Sequence, residues 1–183
     1  MSFLRKKSKE FFLLILFAPL FLSAQVSTSE YQVKAAFLFN FTQFVEWPES
    51  SFSNSQIPAV IGILGKDPFG NYLQDMIAGE AINHHPLLIK HFSSVEEVAN
   101  CHIVFINISD KKTLQAIIDK LKGKTILTVS DASRFSKLGG MIQLSTRDDK
   151  VTIEINLNAI KAENLVVSSK LLKLSQIVST DNK

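Results

Sequence analysis

The stretch Ala59-Val-Ile-Gly-Ile-Leu-Gly-Lys-Asp-Pro-Phe-Gly70 carries the main signal for the fold. Its first six residues are aliphatic or glycine and predict a buried strand, and the next two residues turn the chain. Asp67 can cap a helix that has Pro68 at its first position, and Gly79 is expected to end this helix. A strand that turns directly into a helix is the unit from which α/β proteins are built.

The same alternation of strand and helix continues to residue 129. Further strands are predicted at residues 86–92, 102–106 and 125–129. Helices are expected between the strands, and the clearest of them has an apolar stripe at Leu114, Ile117, Ile118 and Leu121.

The pattern changes after residue 140. Two strands at 141–145 and 151–155, with a polar segment between them, predict a hairpin. Two helical stretches, 157–162 and 169–178, are expected to close the chain. The prediction is an α/β fold with three layers: a mixed, mostly parallel sheet of about six strands, helices on both faces and a C-terminal antiparallel hairpin.

The excess of positive charge belongs to the segment 1–24. Four of the 20 basic residues lie there, but only one of the 17 acidic residues. The rest of the chain is formally neutral, so its charge gives no support for binding to nucleic acid or to anionic membranes. Because the chain shows no internal repeat or linker, residues 25–183 are expected to form a single domain.

The segment 1–24 has the layout of a secretory signal peptide. A positive stretch is followed by an apolar run over 11–22, interrupted only by Pro19, and then by Ser23 and Ala24. The run is shorter than the roughly 20 residues that cross a bilayer. We therefore expect the segment to be removed and the mature chain not to insert into the membrane. The alternative is a retained signal anchor.

Three motifs could be taken for a chemical site, and each has a simpler explanation. The glycine spacing in residues 62–70 fits neither glycine-rich phosphate motif, and a tight turn explains it. His84, His85 and His91 are close in sequence but lack the spacing of helical metal ligands. Ser130-Asp131 ends a strand without a nucleophile motif around it, and helix capping explains it. The sequence thus predicts no catalytic residue, no metal and no cofactor.

Residues 30–45 are rich in aromatic side chains and are predicted to form a helix. Phe37, Phe41 and Phe44 recur at helical spacing and are expected to share one mostly buried face. Other apolar side chains widen this face, so the helix has more apolar surface than one sheet face covers. Either the C-terminal helix or another protein is expected to cover the remainder.

Several segments of the chain, taken together and in this order, resemble the YfiR-like family. The resemblance covers about residues 29–178. The segments are Tyr31-Gln-Val-Lys-Ala-Ala-Phe-Leu-Phe-Asn-Phe41, Phe44-Val-Glu-Trp-Pro48, Ile63-Leu-Gly-Lys-Asp-Pro-Phe-Gly70, Cys101-His-Ile-Val-Phe105, Leu127-Thr-Val-Ser-Asp131, Gly139-Gly-Met-Ile142, Ile155-Asn-Leu157 and Ser168-Ser-Lys-Leu-Leu172.

The resemblance implies a bacterial periplasmic protein of α/β architecture that is not an enzyme. The best-known member of the family binds the periplasmic sensor region of a membrane-bound diguanylate cyclase and represses it, which lowers cyclic-di-GMP and biofilm formation. The partner implied for this chain is a membrane-bound diguanylate cyclase or a sensor kinase. The alternative function is a periplasmic small-molecule-binding protein or sensor module.

The chain has a single cysteine, Cys101. The well-characterised repressor of the family uses paired cysteines for redox control, which Cys101 cannot reproduce within one chain. A homodimer bridged through Cys101 stays open as an alternative in an oxidising compartment. Otherwise Cys101, which precedes a strand, is expected to be a small buried apolar residue.

The predicted partner-binding surface combines aromatic residues with charged neighbours. Trp47 and Pro48 follow the aromatic helix and lie between two glutamates, an arrangement that suits an interface anchor with a polar rim. The alternative is that Trp47 closes the end of the core. The residues predicted for this surface are Phe44, Glu46, Trp47 and Pro48, with an extension to Asp67, Pro68 and Phe69.

We predict that export removes the segment 1–24. Cleavage after Ala24 follows from the small residues at the end of the apolar run. N-terminal sequencing of the exported protein is expected to begin at Gln25. Material that begins at Met1 would contradict the prediction.

Overall fold

The computed structural model describes residues 24–52 and 57–180, with side chains from residue 30 onward. The predicted signal peptide, apart from its last residue, lies outside these ranges. The helices of the described part, in chain order, are α1 (Ala24–Phe44), α2 (Asn71–Ile77), α3 (Lys111–Leu121), α4 (Leu157–Ala162) and α5 (Ser169–Lys173).

The described part of the chain has two strands of two residues that pair with each other and eight strands that form one large sheet. In chain order they are β1 (Val45–Glu46), β2 (Ala59–Gly65), β3 (Ala81–Ile82), β4 (His85–Phe92), β5 (Ile103–Asn107), β6 (Leu127–Ser130), β7 (Ile142–Arg147), β8 (Lys150–Asn156), β9 (Val166–Val167) and β10 (Ser175–Val178).

The large sheet has the strand order β10-β8-β7-β6-β5-β2-β4-β3. Strands β4, β2, β5, β6 and β7 are parallel to one another, and β8 returns antiparallel to β7 as the second strand of a hairpin. β1 and β9 form a separate antiparallel pair that joins the end of α1 to the C-terminal region. The predicted α/β fold is confirmed, and its sheet has eight strands where about six were expected.

Central strands β2 and β5 are buried on both faces, which explains the three layers. On one face they pack against α1, α2, α4 and α5, in a core that includes Leu38, Phe41 and Phe105. On the other face they pack against α3, in a core that includes Val104 and Phe135. A strand covered on both sides needs apolar residues at every position, and this accounts for the continuous apolar run of β2.

The aromatic helix is confirmed as α1, which begins before the predicted first residue. Phe41 is fully buried, whereas Phe37 and Phe44 are only partly buried. Of the three phenylalanines expected to be mostly buried, only Phe41 is; the side chains of Phe37 and Phe44, about one turn before and after it, are partly exposed. Asn40 lies on the same side and is half-buried.

The start of α2 differs from the prediction. Asp67 does not cap the helix: its carboxylate accepts a hydrogen bond from the backbone N–H of Phe69 (2.7 Å) and forms a local turn. The helix begins at Asn71, after Gly70, whose φ of +56° is a conformation that suits glycine.

The helix predicted over 169–178 is wrong in its second half. Only Ser169–Lys173 is helical, and Ser175–Val178 forms β10, which pairs parallel to β8. The apolar residues Leu171, Leu174 and Val178 fit helical spacing, so the local pattern did not distinguish the two states. Pairing with β8, which is distant in sequence, decides the outcome, because tertiary contacts override a weak local preference.

We predict that Phe41→Ala lowers the free energy of unfolding by about 3–5 kcal/mol, because the substitution leaves a cavity at a fully buried position. Val33→Ala, at a residue of the same helix that is 43% exposed, is the matched control and is expected to cost less than about 0.5 kcal/mol. Denaturant unfolding measures both values. If the two variants had the same free energy of unfolding, Phe41 would not be buried and the orientation of α1 would be wrong.

Candidate functional site

Chemically notable side chains collect at the two ends of the parallel strands. The carboxyl-edge cluster, which follows the carboxyl ends of the strands, comprises Glu30, Tyr31, Lys34 and Asp131. The amino-edge cluster, at the opposite ends, comprises Trp47, Phe52, His85 and His102. α1 connects them, since its first described side chains belong to one cluster and Trp47 follows its last residue closely.

The carboxyl-edge cluster is built on Asp131, the residue that follows β6. One oxygen of its carboxylate accepts hydrogen bonds from the Tyr31 hydroxyl (2.9 Å) and from Lys34 Nζ (2.7 Å). Lys34 Nζ also lies 2.5 Å from a carboxylate oxygen of Glu30 and 4.6 Å from the centre of the Tyr31 ring. Glu30 in turn accepts a hydrogen bond from the Thr146 hydroxyl (2.7 Å).

Burial gives these contacts their strength. The side chain of Lys34 is only 4% exposed, and a buried ammonium group requires the two carboxylates that face it. The hydrogen bond from Lys34 lowers the pKa of Glu30. Burial, followed by the negative charge of Asp131, raises the pKa of Tyr31 to about 12.

The direction of the Tyr31 shift bears on chemistry. A tyrosine that exchanges protons near neutral pH needs a pKa lowered toward 7, whereas that of Tyr31 is raised. Its hydroxyl and the ammonium group of Lys34 are both engaged with Asp131. The cluster therefore has a structural role: it holds α1 against the end of β6.

A cleft of about 300 Å³ lies beside the carboxyl-edge cluster. The residues that line it are Tyr31, Gln32, Pro68, Phe69, Gly70, Asn71 and Tyr72. The lining combines aromatic rings with two side-chain amides and has no charged side chain. The carboxyl ends of the strands are where α/β proteins bind ligands, and this open cleft lies at that edge of the sheet.

The amino-edge cluster is a stack of rings. The ring of Phe52 lies between those of His85 and His102, with centroid distances of 4.6 and 4.7 Å and nearly parallel planes. The indole of Trp47 meets His102 edge-on, and its N–H donates a hydrogen bond to the His102 carbonyl oxygen (3.2 Å).

The protonation state of His102 follows from its hydrogen bonds. Its Nδ1 accepts from the backbone N–H of Val60 (3.1 Å), so the ring proton is on Nε2, which faces the carbonyl oxygen of Ser51 (3.2 Å). Burial lowers the pKa of His102, and the neighbouring His85 lowers it further. A second proton on Nδ1 would remove the acceptor of Val60 N–H.

The residues predicted for the partner surface fall into two separate groups: residues 44–48 lie at the amino ends of the parallel strands, and residues 67–69 lie at the carboxyl ends. Phe44 and Pro48 are half-buried and Glu46 is exposed, but Trp47 is only 7% exposed and lies where the alternative placed it, at the end of the core. The indole is therefore part of the core and contacts His102.

The predicted extension lies elsewhere. Asp67 and Pro68 are half-buried, and Phe69 is buried with its ring against Tyr31 and Phe105. Tyr31 lies near the start of α1 and Phe44 at its end, and this span of helix corresponds to about 20 Å. The structure therefore does not bring Asp67, Pro68 and Phe69 next to the surface at residues 44–48.

The histidines and the Ser130-Asp131 pair, which could be taken for chemical sites in the sequence, have structural roles. His84 is exposed in a turn, His85 stacks on Phe52, and His91 contacts the Asp67 carboxylate through Nε2 (2.7 Å), so these histidines do not converge. Across residues 24–52 and 57–180, no group of three or more histidine, cysteine or acidic side chains could hold a metal ion. The Ser130 hydroxyl donates to the Ile106 carbonyl oxygen (2.6 Å) and accepts from the Ala132 N–H (3.1 Å). The predicted helix cap is wrong, because residues 133–139 form turns and not a helix.

Cys101 is the small buried residue that its position predicted. Its side chain packs against Gly62, where an added Cβ would lie 2.8 Å from the sulfur, and its S–H donates to the Ile103 carbonyl oxygen. Burial raises the pKa of the thiol to about 12. Because the thiolate is the reactive form, a disulfide to another chain would first require this part of the fold to open.

Sequence reasoning missed the pairing of Lys34 with Asp131. Helical spacing pairs Lys34 only with Glu30, one turn earlier. The available signal was a lysine within an otherwise apolar helix, since a charge that is buried with the helix needs a partner from another element. His102 gave no such signal, because nothing in the sequence places it against Phe52 and Trp47.

Comparisons with known proteins bear on identity. A family model described as YfiR/HmsC-like matches residues 31–176, which is most of the chain. Among solved structures, a conserved domain protein from Vibrio cholerae is similar with a TM-score of 0.52 and 8% identity, over 80% of this chain and 59% of that one. At this identity, the likeness concerns the fold alone.

A second solved structure is an ABC domain from Streptococcus pneumonia in complex with L-Trp. It has a TM-score of 0.47 and 10% identity, over 66% of this chain and 55% of that one. The chain thus spans less than two thirds of the length of either of these structures. In the described part of the chain, no helix has both the length and the apolar character needed to cross a membrane.

We predict that the fold loses stability in mild acid through His102. Its pKa is lowered in the fold relative to the ordinary 6.5, so the unfolded chain binds the proton more readily. The stabilisation is fully present above pH 6.5 and is lost as the pH falls toward the lower pKa of the folded state. Denaturant unfolding, followed by the fluorescence of the single tryptophan, measures this loss across the pH series.

His102→Asn is the informative variant because its amide oxygen can still accept from Val60 N–H but does not titrate. This variant is expected to show a smaller loss of stability between pH 7 and 5 than the unsubstituted protein. The exposed His84→Asn serves as the control and is expected to keep the full loss. Identical pH profiles for His102→Asn and the parent protein would contradict the assignment.

Proposed function

Because the chain belongs to the YfiR/HmsC-like family, we propose that it is a periplasmic regulatory protein that binds a membrane-bound signalling protein and holds it inactive. The family is associated with regulation of diguanylate cyclases, so the proposed target is the periplasmic part of such a cyclase, and the proposed result is less cyclic-di-GMP. The observation that carries the proposal is the family match, which extends from α1 into β10.

The side-chain chemistry supports a binding role without catalysis. Family members are regulatory repressors rather than enzymes. Of the groups that could act on a substrate, Tyr31 has a raised pKa, Lys34 is buried against two carboxylates, and the thiol of Cys101 is buried. Each of these groups is engaged in holding the fold.

The surface proposed for the partner is the outer side of α1 and its exit. α1 carries no charged residue after Lys34, and Phe37 and Phe44 remain only partly buried. The exposed carboxylate of Glu46 lies at the end of this apolar surface. An uncharged apolar centre beside a charged rim is the composition that protein interfaces share, and buried Trp47 gives the surface a rigid base.

The cleft at the carboxyl edge favours a second candidate function. Its uncharged lining of aromatic rings and amides fits a small neutral or aromatic molecule, and Asp67, Pro68 and Phe69 lie at or beside it. In this candidate the chain is a periplasmic small-molecule-binding or sensor module. The two functions are compatible, since Phe44 and Glu46 of the proposed partner surface lie at the end of α1 opposite the cleft.

We predict that a double substitution, Phe44→Gln with Glu46→Lys, abolishes repression while the protein remains folded. The change makes the apolar centre polar and reverses the charge at its rim. Cyclic-di-GMP in cells and capture of the membrane partner by the purified protein are the measurements. Glu80→Lys, at an exposed glutamate beside β3, is the matched control and is expected to repress normally.

The outcomes of this experiment distinguish an error in the proposed surface from an error in the proposed function. If the double variant still binds and represses, the surface is wrong but the regulatory function stands. If removal of the unsubstituted protein changes neither cyclic-di-GMP nor the activity of any membrane signalling protein, the regulatory function is wrong. Trp47→Ala is expected to lose stability, because the indole is buried and hydrogen-bonded to His102.

A further inference from the structure

Most of the accessible side chains between residues 33 and 44 of α1 lie on one face of the helix. Their positions follow the i, i+3, i+4, i+7 pattern of a single face and extend over about 16 Å. Surface helices usually present charged side chains to water, but this face has none. We call it the outer stripe of α1; its residues, all half-buried or exposed, are Val33, Ala36, Phe37, Asn40, Gln43 and Phe44.

Asn40 lies in the middle of the outer stripe, and its side-chain amide makes no hydrogen bond to any described residue. Phe37 and Phe44 lie about one turn away on either side of it. A surface that covered these rings would also remove water from the amide, which loses free energy unless the covering surface supplies a hydrogen bond. Asn40 therefore selects a partner that presents a polar group opposite it.

Two acidic residues follow the outer stripe closely in the chain. Glu46 and Glu49 are exposed, and neither forms an ion pair within the part of the chain that the structure describes. Carboxylates at the border of an apolar contact attract a partner with a basic side chain at that border and disfavour an acidic one. The charge of the partner is therefore specified at this end of the stripe.

The geometry of the outer stripe favours a helix over a strand as the contacting element. The backbone of α1 is hydrogen-bonded within the helix, so it offers no pairing to an incoming strand. A strand laid on the stripe would bury its own unpaired backbone groups, whereas a helix pairs these groups internally. The alternating spacing of four and three residues that packed helices use is present in Val33, Phe37, Asn40 and Phe44.

We propose that the membrane partner contacts the outer stripe with an apolar α-helix of its periplasmic part. This helix carries a polar side chain opposite Asn40 and a basic side chain that pairs with Glu46 or Glu49. The inference rests on the proposed regulatory function and adds to it the kind of element that is recognised. Asn40 sets the register, because a helix that is shifted along the stripe leaves the amide unpaired and binds more weakly.

Photo-cross-linking tests the helical contact directly. A photoreactive residue replaces Val33, Ala36, Asn40 or Gln43 in turn, and the purified protein is illuminated with membranes that contain the cyclase it represses. Successive positions are expected to label cyclase residues that are three or four apart in sequence, because both helices advance about 5.4 Å per turn. Leu88, a residue of β4 that is 44% exposed, is the control position and is expected not to label the cyclase.

Each other outcome of this experiment overturns the proposal. Labelled cyclase residues at every second position would indicate a strand. Labels confined to a second copy of the chain, or no labelling above that of the Leu88 position from a chain that still represses, would show that no helix of the cyclase covers the stripe, and the regulatory function would stand. Unchanged cyclic-di-GMP in cells that lack the chain would refute the regulatory function and this inference with it.

Asn40→Asp tests the role of the amide. The substitution keeps the size of the side chain but introduces a carboxylate, which an apolar contact does not accept without a cation. We expect binding to the cyclase to weaken by about tenfold or more, while the half-buried position leaves the free energy of unfolding nearly unchanged. Asn158→Asp, the same change at an exposed residue of α4, is the matched control and is expected to bind normally. Equal binding of the two variants would overturn the role of Asn40.

Discussion

The burial of β2 and β5 on both faces is the constraint on which the rest of the structure depends. Apolar side chains that point to both sides of a sheet need a covering layer on each side. α3 covers one face, and α1 covers the other together with the short helices. Because α1 lies along the strands, it joins the carboxyl ends, where the cleft is, to the amino ends, where Trp47 and the histidines stack.

The ion pair between Lys34 and Asp131 explains why the ionisable residues of the carboxyl-edge cluster have a structural role. Loss of Lys34 would leave the Asp131 carboxylate without its cation, and loss of Asp131 would leave the buried ammonium group with Glu30 alone. Selection of such residues for catalysis would compete with their role in seating α1. The surface proposed for the partner is the part of α1 that the sheet does not cover, and its lack of charge suits a protein partner.

The sequence predicted those elements whose signal is local and missed those that depend on distant contacts. β2 has a continuous apolar run and α3 has a regular apolar stripe, so both elements were predicted correctly. β10 was predicted as a helix because its register is set by β8. The same holds for the site: the aromatic content of residues 37–47 was evident in the sequence, but Trp47 is buried by residues that are distant in sequence, His102 among them.

The pairing of β1 with β9 has a consequence for the order of folding. α1 is the first described element to leave the ribosome, yet its fastenings are Asp131 near its beginning and Val167 and Ser168 at its end. The contacts that hold the two ends of α1 therefore form only after most of the chain has been synthesised. Until Asp131, Val167 and Ser168 are in place, the partly buried phenylalanines of α1 are exposed to other apolar surfaces, and misassembly of this fold would begin there.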